Sequence, residues 1–217
     1  MRTVFYIDGF NFYYGLRNIK KADADWQNYY WIDIVALCEE FINPGDNLVK
    51  VKYFTSPPLN NGKKSRQSAL FKANDLINGA RFEIIRGKYY NKTLHCGATC
   101  GETYTMPEEK RTDVNISVNL IGDCALGLVD KIVLITADSD LVPPIEFIKT
   151  HFPQIEIKII FPPSSYSYDL KDVAKKKKVI RMEHNKFRFK NCVMDDEVFN
   201  GAKTDSAVIP PKWKPAP

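Results

Sequence analysis

Histidine is scarce in this chain. The only three in 217 residues are His95, His151 and His184. None stands in a Ser or Cys nucleophile motif, which argues against triad hydrolysis. A Gly-rich phosphate-binding fingerprint is also missing, so the usual dinucleotide and P-loop chemistries have no sequence support. No apolar run approaches the roughly 18 residues that span a bilayer. Met1-Arg2-Thr3 leads straight into a strand-like segment with no signal peptide, so no membrane partner and a cytoplasmic setting are expected. The five cysteines are odd in number and scattered, which does not suggest a disulfide framework, and reduced thiols follow. There is no internal repeat.

What is present suits one α/β domain with extensions. Hydrophobic residues make up 44% and charged residues 26%, near the globular average and enough for a substantial core. Strand-length apolar runs recur at Val4 to Ile7, Leu48 to Phe54, Arg81 to Ile85, Lys131 to Ile135 and Ile155 to Phe161. Helical segments separate most of them, which predicts βαβ units around a mainly parallel sheet with helices on both faces. Ile34, Leu37, Cys38 and Phe41 form one helical stripe, and Ser65 to Asn78 reads as a helix stopped by Gly79. Asp113 to Leu128 fits a strand or a helix by periodicity, and its length favours helix. Thr105-x-x-Glu108 with Pro107 reads as a helix start just upstream. Pro143-Pro144 restricts the following helix to a start near Val142. One more strand is expected around Val179 to Phe189. The domain is expected to span 1–190, with a Cys-containing insertion at about 88–106, followed by an extension over 191–217. From about Gly201 that extension, rich in proline, is expected to be disordered.

Four aspartates lie in positions that suggest shared chemistry. Asp8 ends the Val4-Phe5-Tyr6-Ile7 run, and Asp138 and Asp140 follow Ile132-Val133-Leu134-Ile135. In an open parallel sheet those are the carboxyl ends of strands, where ligands bind. Asp113 precedes the long helix between them. Any one of these acids could simply cap a helix or open a turn. As a set they form a candidate site for a hard divalent cation, whose charge would relieve their mutual repulsion.

Three blocks carry a family resemblance: Tyr6-Ile7-Asp8-Gly9-Phe10-Asn11, Glu109-Lys110-Arg111-Thr112-Asp113-Val114, and Leu134-Ile135-Thr136-Ala137-Asp138-Ser139-Asp140-Leu141. In order and spacing they resemble the signature blocks of NYN domains, PIN-like nucleases that include bacterial LabA-like proteins. The resemblance implies a Rossmann-like PIN fold of three α/β/α layers, binding Mg2+ or Mn2+ and cutting RNA in its active members. It implies Asp8, Asp113, Asp138 and Asp140 as metal-binding and catalytic residues, with Asn11 beside them. Ser139 and Lys110 are supporting candidates. Many relatives have a further Asp where this chain has Asn119, which leaves two-metal catalysis open and a noncatalytic RNA-binding module as the alternative. Members of this superfamily often pair, so a homodimer is among the expectations.

Weaker candidates remain. The segment Lys171 to Lys190 holds nine Lys/Arg against Asp172 and Glu183, and such a block suits either a polyanion or a solvated face. Lys175, Lys176 and Arg188 within it, and Lys63, Lys64 and Arg66 in the loop after the second strand, are candidate RNA contacts. Phe187 and Phe189 could stack on bases or, alternating in a strand, belong to the core. Cys96-x-x-x-Cys100 resembles half of a zinc site. A full site needs four ligands and no second pair is evident, so the choice is between zinc shared by two chains and a reduced-thiol hairpin.

Overall fold

The computed structural model describes residues 1–97, 101–175 and 178–214. The chain runs β1 (Arg2–Asp8), α1 (Gly9–Ile19), α2 (Ile34–Glu39), β2 (Asn47–Thr55), α3 (Asn61–Asn78), β3 (Phe82–Arg86), β4 (Lys88–His95), β5 (Thr103–Lys110) and α4 (Thr112–Ala125). It continues through β6 (Lys131–Ile135), α5 (Val142–His151), β7 (Glu156–Phe161), α6 (Tyr168–Ala174), β8 (Val179–Arg181), α7 (Lys186–Lys190), β9 (Glu197–Phe199) and β10 (Ser206–Val208). Six strands form one sheet in the order β3-β2-β1-β6-β7-β8, and every pairing in it is parallel.

Side-chain alternation along β1 and β6 divides the interior. Phe5, Ile7, Val133 and Ile135 face one core, shared with α1 and α2. Val4, Tyr6, Ile132 and Leu134 face the other, shared with α4, α5 and α6. Burial on both faces is why these strands read as unbroken apolar runs. The chain leaves β1 toward β2 and β3, then returns to build β6, β7 and β8 on the other side. The order therefore reverses between β1 and β6, and the crevice beyond their carboxyl ends is where such sheets bind ligands.

Several expectations are corrected. Thr105 and Glu108 lie in β5, an antiparallel partner of β4, so the capping pattern there does not start a helix. The helix begins at Thr112 instead, after Arg111 turns the chain in a left-handed conformation, φ 83°. Lys63, Lys64 and Arg66 stand on the first turns of α3 rather than in a loop; Asn60 caps it by accepting from the Lys63 amide. After the short β8, Phe187 and Phe189 sit on α7, where Phe189 packs at 5.1 Å from Trp26 and Phe187 is exposed. The expected disorder from Gly201 is not what is seen for residues 201–214. There β10 pairs with β9, and Ala207, Ile209 and Trp213 bury themselves with Trp31 and Ala73. Short apolar words between polar ones were enough to dock this segment on α3.

Candidate metal centre and adjoining groove

Asp8 is the residue on which the site is built. It ends β1 and caps α1, with 2% of its surface exposed. One carboxylate oxygen accepts from the amides of Phe10 (3.1 Å) and Asn11 (3.0 Å). The other accepts from Asn11 Nδ2 (2.5 Å) and Thr136 Oγ1 (2.9 Å). A carboxylate offers about four lone-pair sites, and all are in use. Burial raises its pKa, opposed by the bonds from Asn11 and Thr136. Asn11 Oδ1 in turn accepts from the Ala137 amide at 3.3 Å, tying the end of β1 to the end of β6. Gly9 permits this geometry, because a Cβ there would fall 2.6 Å from the Phe54 carbonyl oxygen of β2.

The bonds continue outward. Thr136 Oγ1 also accepts from the Asp138 amide (3.1 Å), and Asp138 Oδ1 accepts from the Asp140 amide (3.0 Å). The turn after β6 is thereby fixed with both acids at the rim. Asp113 comes from the first turn of α4. Oxygens of Asp113, Asp138 and Asp140 lie within 4.8 Å of one another. The Asp113 carboxyl is pushed up to about 6 by burial first, then by the charges of Asp138, Asp8, Glu109 and Asp140. Three anions crowd one point, and hard oxygen donors at this spacing fit Mg2+ or Mn2+.

Of the four aspartates, Asp113, Asp138 and Asp140 converge on one point, and Asp8 is buried and close enough to help raise the Asp113 pKa. Ser139 is exposed on the same turn. Glu109 was not foreseen: it accepts from Ser56 Oγ (2.8 Å) and Thr112 Oγ1 (2.5 Å) beside the cluster. Its place in the Glu109 to Val114 block was the available signal. Two supporting candidates lie apart from the three converging carboxylates. Lys110 ends β5 exposed, and its ammonium turns back to Glu108 at 2.8 Å. Asn119 lies six residues along α4 from Asp113, about 9 Å of helical rise. There its Oδ1 accepts from Lys52 Nζ at 2.9 Å, and its Nδ2 donates to the Asn115 carbonyl.

The basic block also behaves differently from expectation. Lys171, Lys178, Arg181 and Lys186 are in ion pairs with Asp172, Glu156, Glu183 and Asp23. The Arg188 guanidinium donates to the Glu40 carbonyl and lies 4.9 Å over the Phe41 ring. Lys175 is exposed at the end of α6 and Lys64 is exposed on α3. Lys176 and Cys100 lie outside the described residues; Cys96 is a free thiol.

A groove opens near the acidic cluster. One cavity, about 330 Å3, has Gly9, Phe10 and Ser56 and the rings of Tyr53, Phe71 and Tyr89 among its lining. A second, about 310 Å3, is lined by Arg17, Lys20, Lys21, Lys63, Arg66 and Lys212, with Tyr13, Tyr30 and Trp213. The two share Tyr13, Lys63, Arg66 and Trp213. Sequence reading found Lys63 and Arg66. It missed Arg17, Lys20 and Lys21, on and just after α1 following two tyrosines, and Lys212-Trp213 in the supposedly disordered tail.

Comparison with known proteins agrees with this architecture. A crystal structure of a protein of unknown function from Vibrio parahaemolyticus superposes with a TM-score of 0.51 at 20% identity, covering 83% of this chain and 92% of that one. The curated relative 6-hydroxy-3-succinoylpyridine 3-monooxygenase HspA of Pseudomonas putida is 28% identical over 197 residues, 76% of this chain. The match spans about 60% of that relative's length. The family model of the NYN domain matches residues 2–181; with its parallel sheet and acidic cluster at the strand ends, the chain belongs to the NYN domain family.

Proposed function

We propose that this chain is a divalent-metal-dependent endoribonuclease, hydrolysing RNA phosphodiester bonds. The observation that carries the reading is the convergence of Asp113, Asp138 and Asp140 within 4.8 Å, at the strand-order reversal and next to a cationic groove. When bound there, Mg2+ or Mn2+ supplies charge neutralisation at a phosphodiester and acidifies an attacking water. The chain's own residues position. Asp8, Asn11 and Thr136 hold the Asp138 turn, the left-handed Arg111 sets α4 so that Asp113 meets it, and Lys63 and Arg66 attract the RNA backbone. The four free cysteines among the described residues suit a reducing, cytoplasmic compartment.

The test is cleavage of labelled single-stranded and structured RNA with Mn2+ or Mg2+. Asp113→Asn and Asp138→Asn are expected to lose on the order of a hundredfold or more in rate, and chelation to stop wild-type cleavage. Equal rates in all three proteins would remove the mechanism. A second reading, an enzyme of small aromatic acids, draws on the ring-lined cavity and on the printed name of the Pseudomonas relative. It predicts that 6-hydroxy-3-succinoylpyridine raises the melting temperature, and no shift at millimolar ligand would count against it.

A further inference from the structure

The ribbon formed by β4 and β5 stands apart from the three cores. It is a sheet of only two strands, and none of Tyr90, Leu94, Tyr104 and Met106 belongs to the packed clusters around Phe5, Tyr6 or Trp31. Residues opposite each other on antiparallel strands share a face, so the pairs Tyr90–Glu108, Lys92–Met106 and Leu94–Tyr104 put those four apolar side chains on one side. That side is open: Tyr104 is 56%, Met106 48% and Tyr90 39% exposed. A two-stranded hairpin by itself is marginally stable in water, and further strands or a packed face are what stabilise it.

The two edges of the ribbon differ. The Cys96 amide donates to the Glu102 carbonyl at 2.8 Å, and bonded and non-bonded pairs alternate along an antiparallel ladder. By that alternation Tyr90, Lys92 and Leu94 bond to β5, while Tyr89, Asn91, Thr93 and His95 turn their N–H and C=O groups outward. Among the described residues no backbone group pairs with them, and Asn91, Thr93 and His95 are exposed. On β5 the outward positions are Thr103, Thr105, Pro107 and Glu109, and a proline has no amide hydrogen to give, which blunts that edge. The edge of β4 keeps an unbroken row of donors and acceptors.

We infer that β4 is the pairing edge for a second copy of this chain, the two ribbons joining antiparallel into one four-stranded sheet. The row is self-complementary. A two-fold axis through Lys92, normal to the ribbon, sets Asn91 of each copy opposite Thr93 of the other and Tyr89 opposite His95, so every outward donor meets an acceptor. The same axis keeps both apolar faces on one side, and Tyr90 of one copy lies beside Leu94 and then Tyr104 of the other. Lys92 meets its counterpart at the axis, each beside its own Glu108 at 3.6 Å. The overlap from Tyr89 to His95 runs about 24 Å, and edge pairing with side chains in contact on both faces reaches about the 1,000 Å2 total that a specific interface needs. Two-fold dimers that use the same patch on both copies are the commonest closed assembly. The inference goes beyond the nuclease reading and does not depend on it.

The test is sedimentation velocity of the full chain over concentrations reaching about 100 μM. EDTA and a thiol reductant are present, so that neither a shared metal at Cys96 nor a disulfide links the copies. Wild type is expected to pass from monomer to dimer. Thr93→Pro removes one outward donor from each copy without touching the ladder to β5, and is expected to weaken association about tenfold or more. Thr105→Pro makes the same change directly opposite, on the other edge, and is expected to leave the dimer constant within about twofold. A wild type that stays monomeric throughout overturns the inference. So does equal loss in both proline variants, which marks damage to the hairpin rather than to one edge. No loss in either variant overturns it too, since the copies then meet elsewhere. A monomeric wild type whose RNA affinity falls in Tyr104→Ala assigns the ribbon to nucleic acid instead.

Discussion

Asp8 and Asp113 carry the same side chain and have opposite consequences. Asp8 is buried with every lone pair occupied by a donor, so an amide in its place would point a donor at donors. Asp8→Asn is expected to destabilise the protein by about 1–3 kcal/mol, read by urea unfolding. Asp113 instead meets three other acids and Glu109. Its neutral replacement removes repulsion, and Asp113→Asn is expected to stabilise the metal-free protein at pH 7 by about 1 kcal/mol, after discounting for its partial exposure. The sign with pH follows from the same crowding. The folded-state pKa, pushed up to about 6, exceeds the ordinary 3.8, so the folded chain holds that proton more tightly than the unfolded one. Stability of the metal-free protein from this group is therefore fully present below the ordinary 3.8 and is lost as pH rises through about 6. Melting temperatures in chelator between pH 4.5 and 7.5 check this; the Asp113→Asn protein should lack that part of the decline.

The placement of Asp113 depends on how α4 is held against the sheet. Lys52, on β2 opposite Tyr6 of β1, donates to both oxygens of Asp123 at 2.7–2.9 Å and to Asn119. Tyr6 adds a 2.6 Å bond to the same Asp123. Lys52→Ala strands a nearly buried carboxylate and is expected to cost about 3 kcal/mol, with looser metal affinity as α4 shifts. Elements such as β1 and β6 were legible because burial on both faces writes itself into apolar runs, whereas the apolar residues of α4 fitted either period and its length alone favoured helix. The Asp138-Ser139-Asp140 turn was legible because strand ends define the rim. Asn119 was not, since only the three-dimensional position of Lys52 reveals which partner its amide has. The partners of Arg188 were hidden for the same reason: a charge in sequence does not disclose a carbonyl and a ring beneath it.

Across the whole molecule, the C-terminal segment is the part that sequence concealed most. Its prolines, Pro210 and Pro211 among them, suggested disorder, while Ala207, Ile209 and Trp213 supplied just enough apolar surface to dock with Trp31 and Ala73. Deleting residues 201–217 is expected to cost about 3 kcal/mol or more from that buried area and to dismantle the groove wall that Trp213 and Lys212 form. The central claim concerns the acidic cluster, where three carboxylates converge within 4.8 Å. Anything binding the folded state alone raises its stability as its concentration exceeds the dissociation constant. The most direct measurement is thermal unfolding of the wild type and Asp138→Asn across a Mn2+ titration. The account predicts a concentration-dependent rise in melting temperature for the wild type and little or none for the variant; equal rises in both would contradict it.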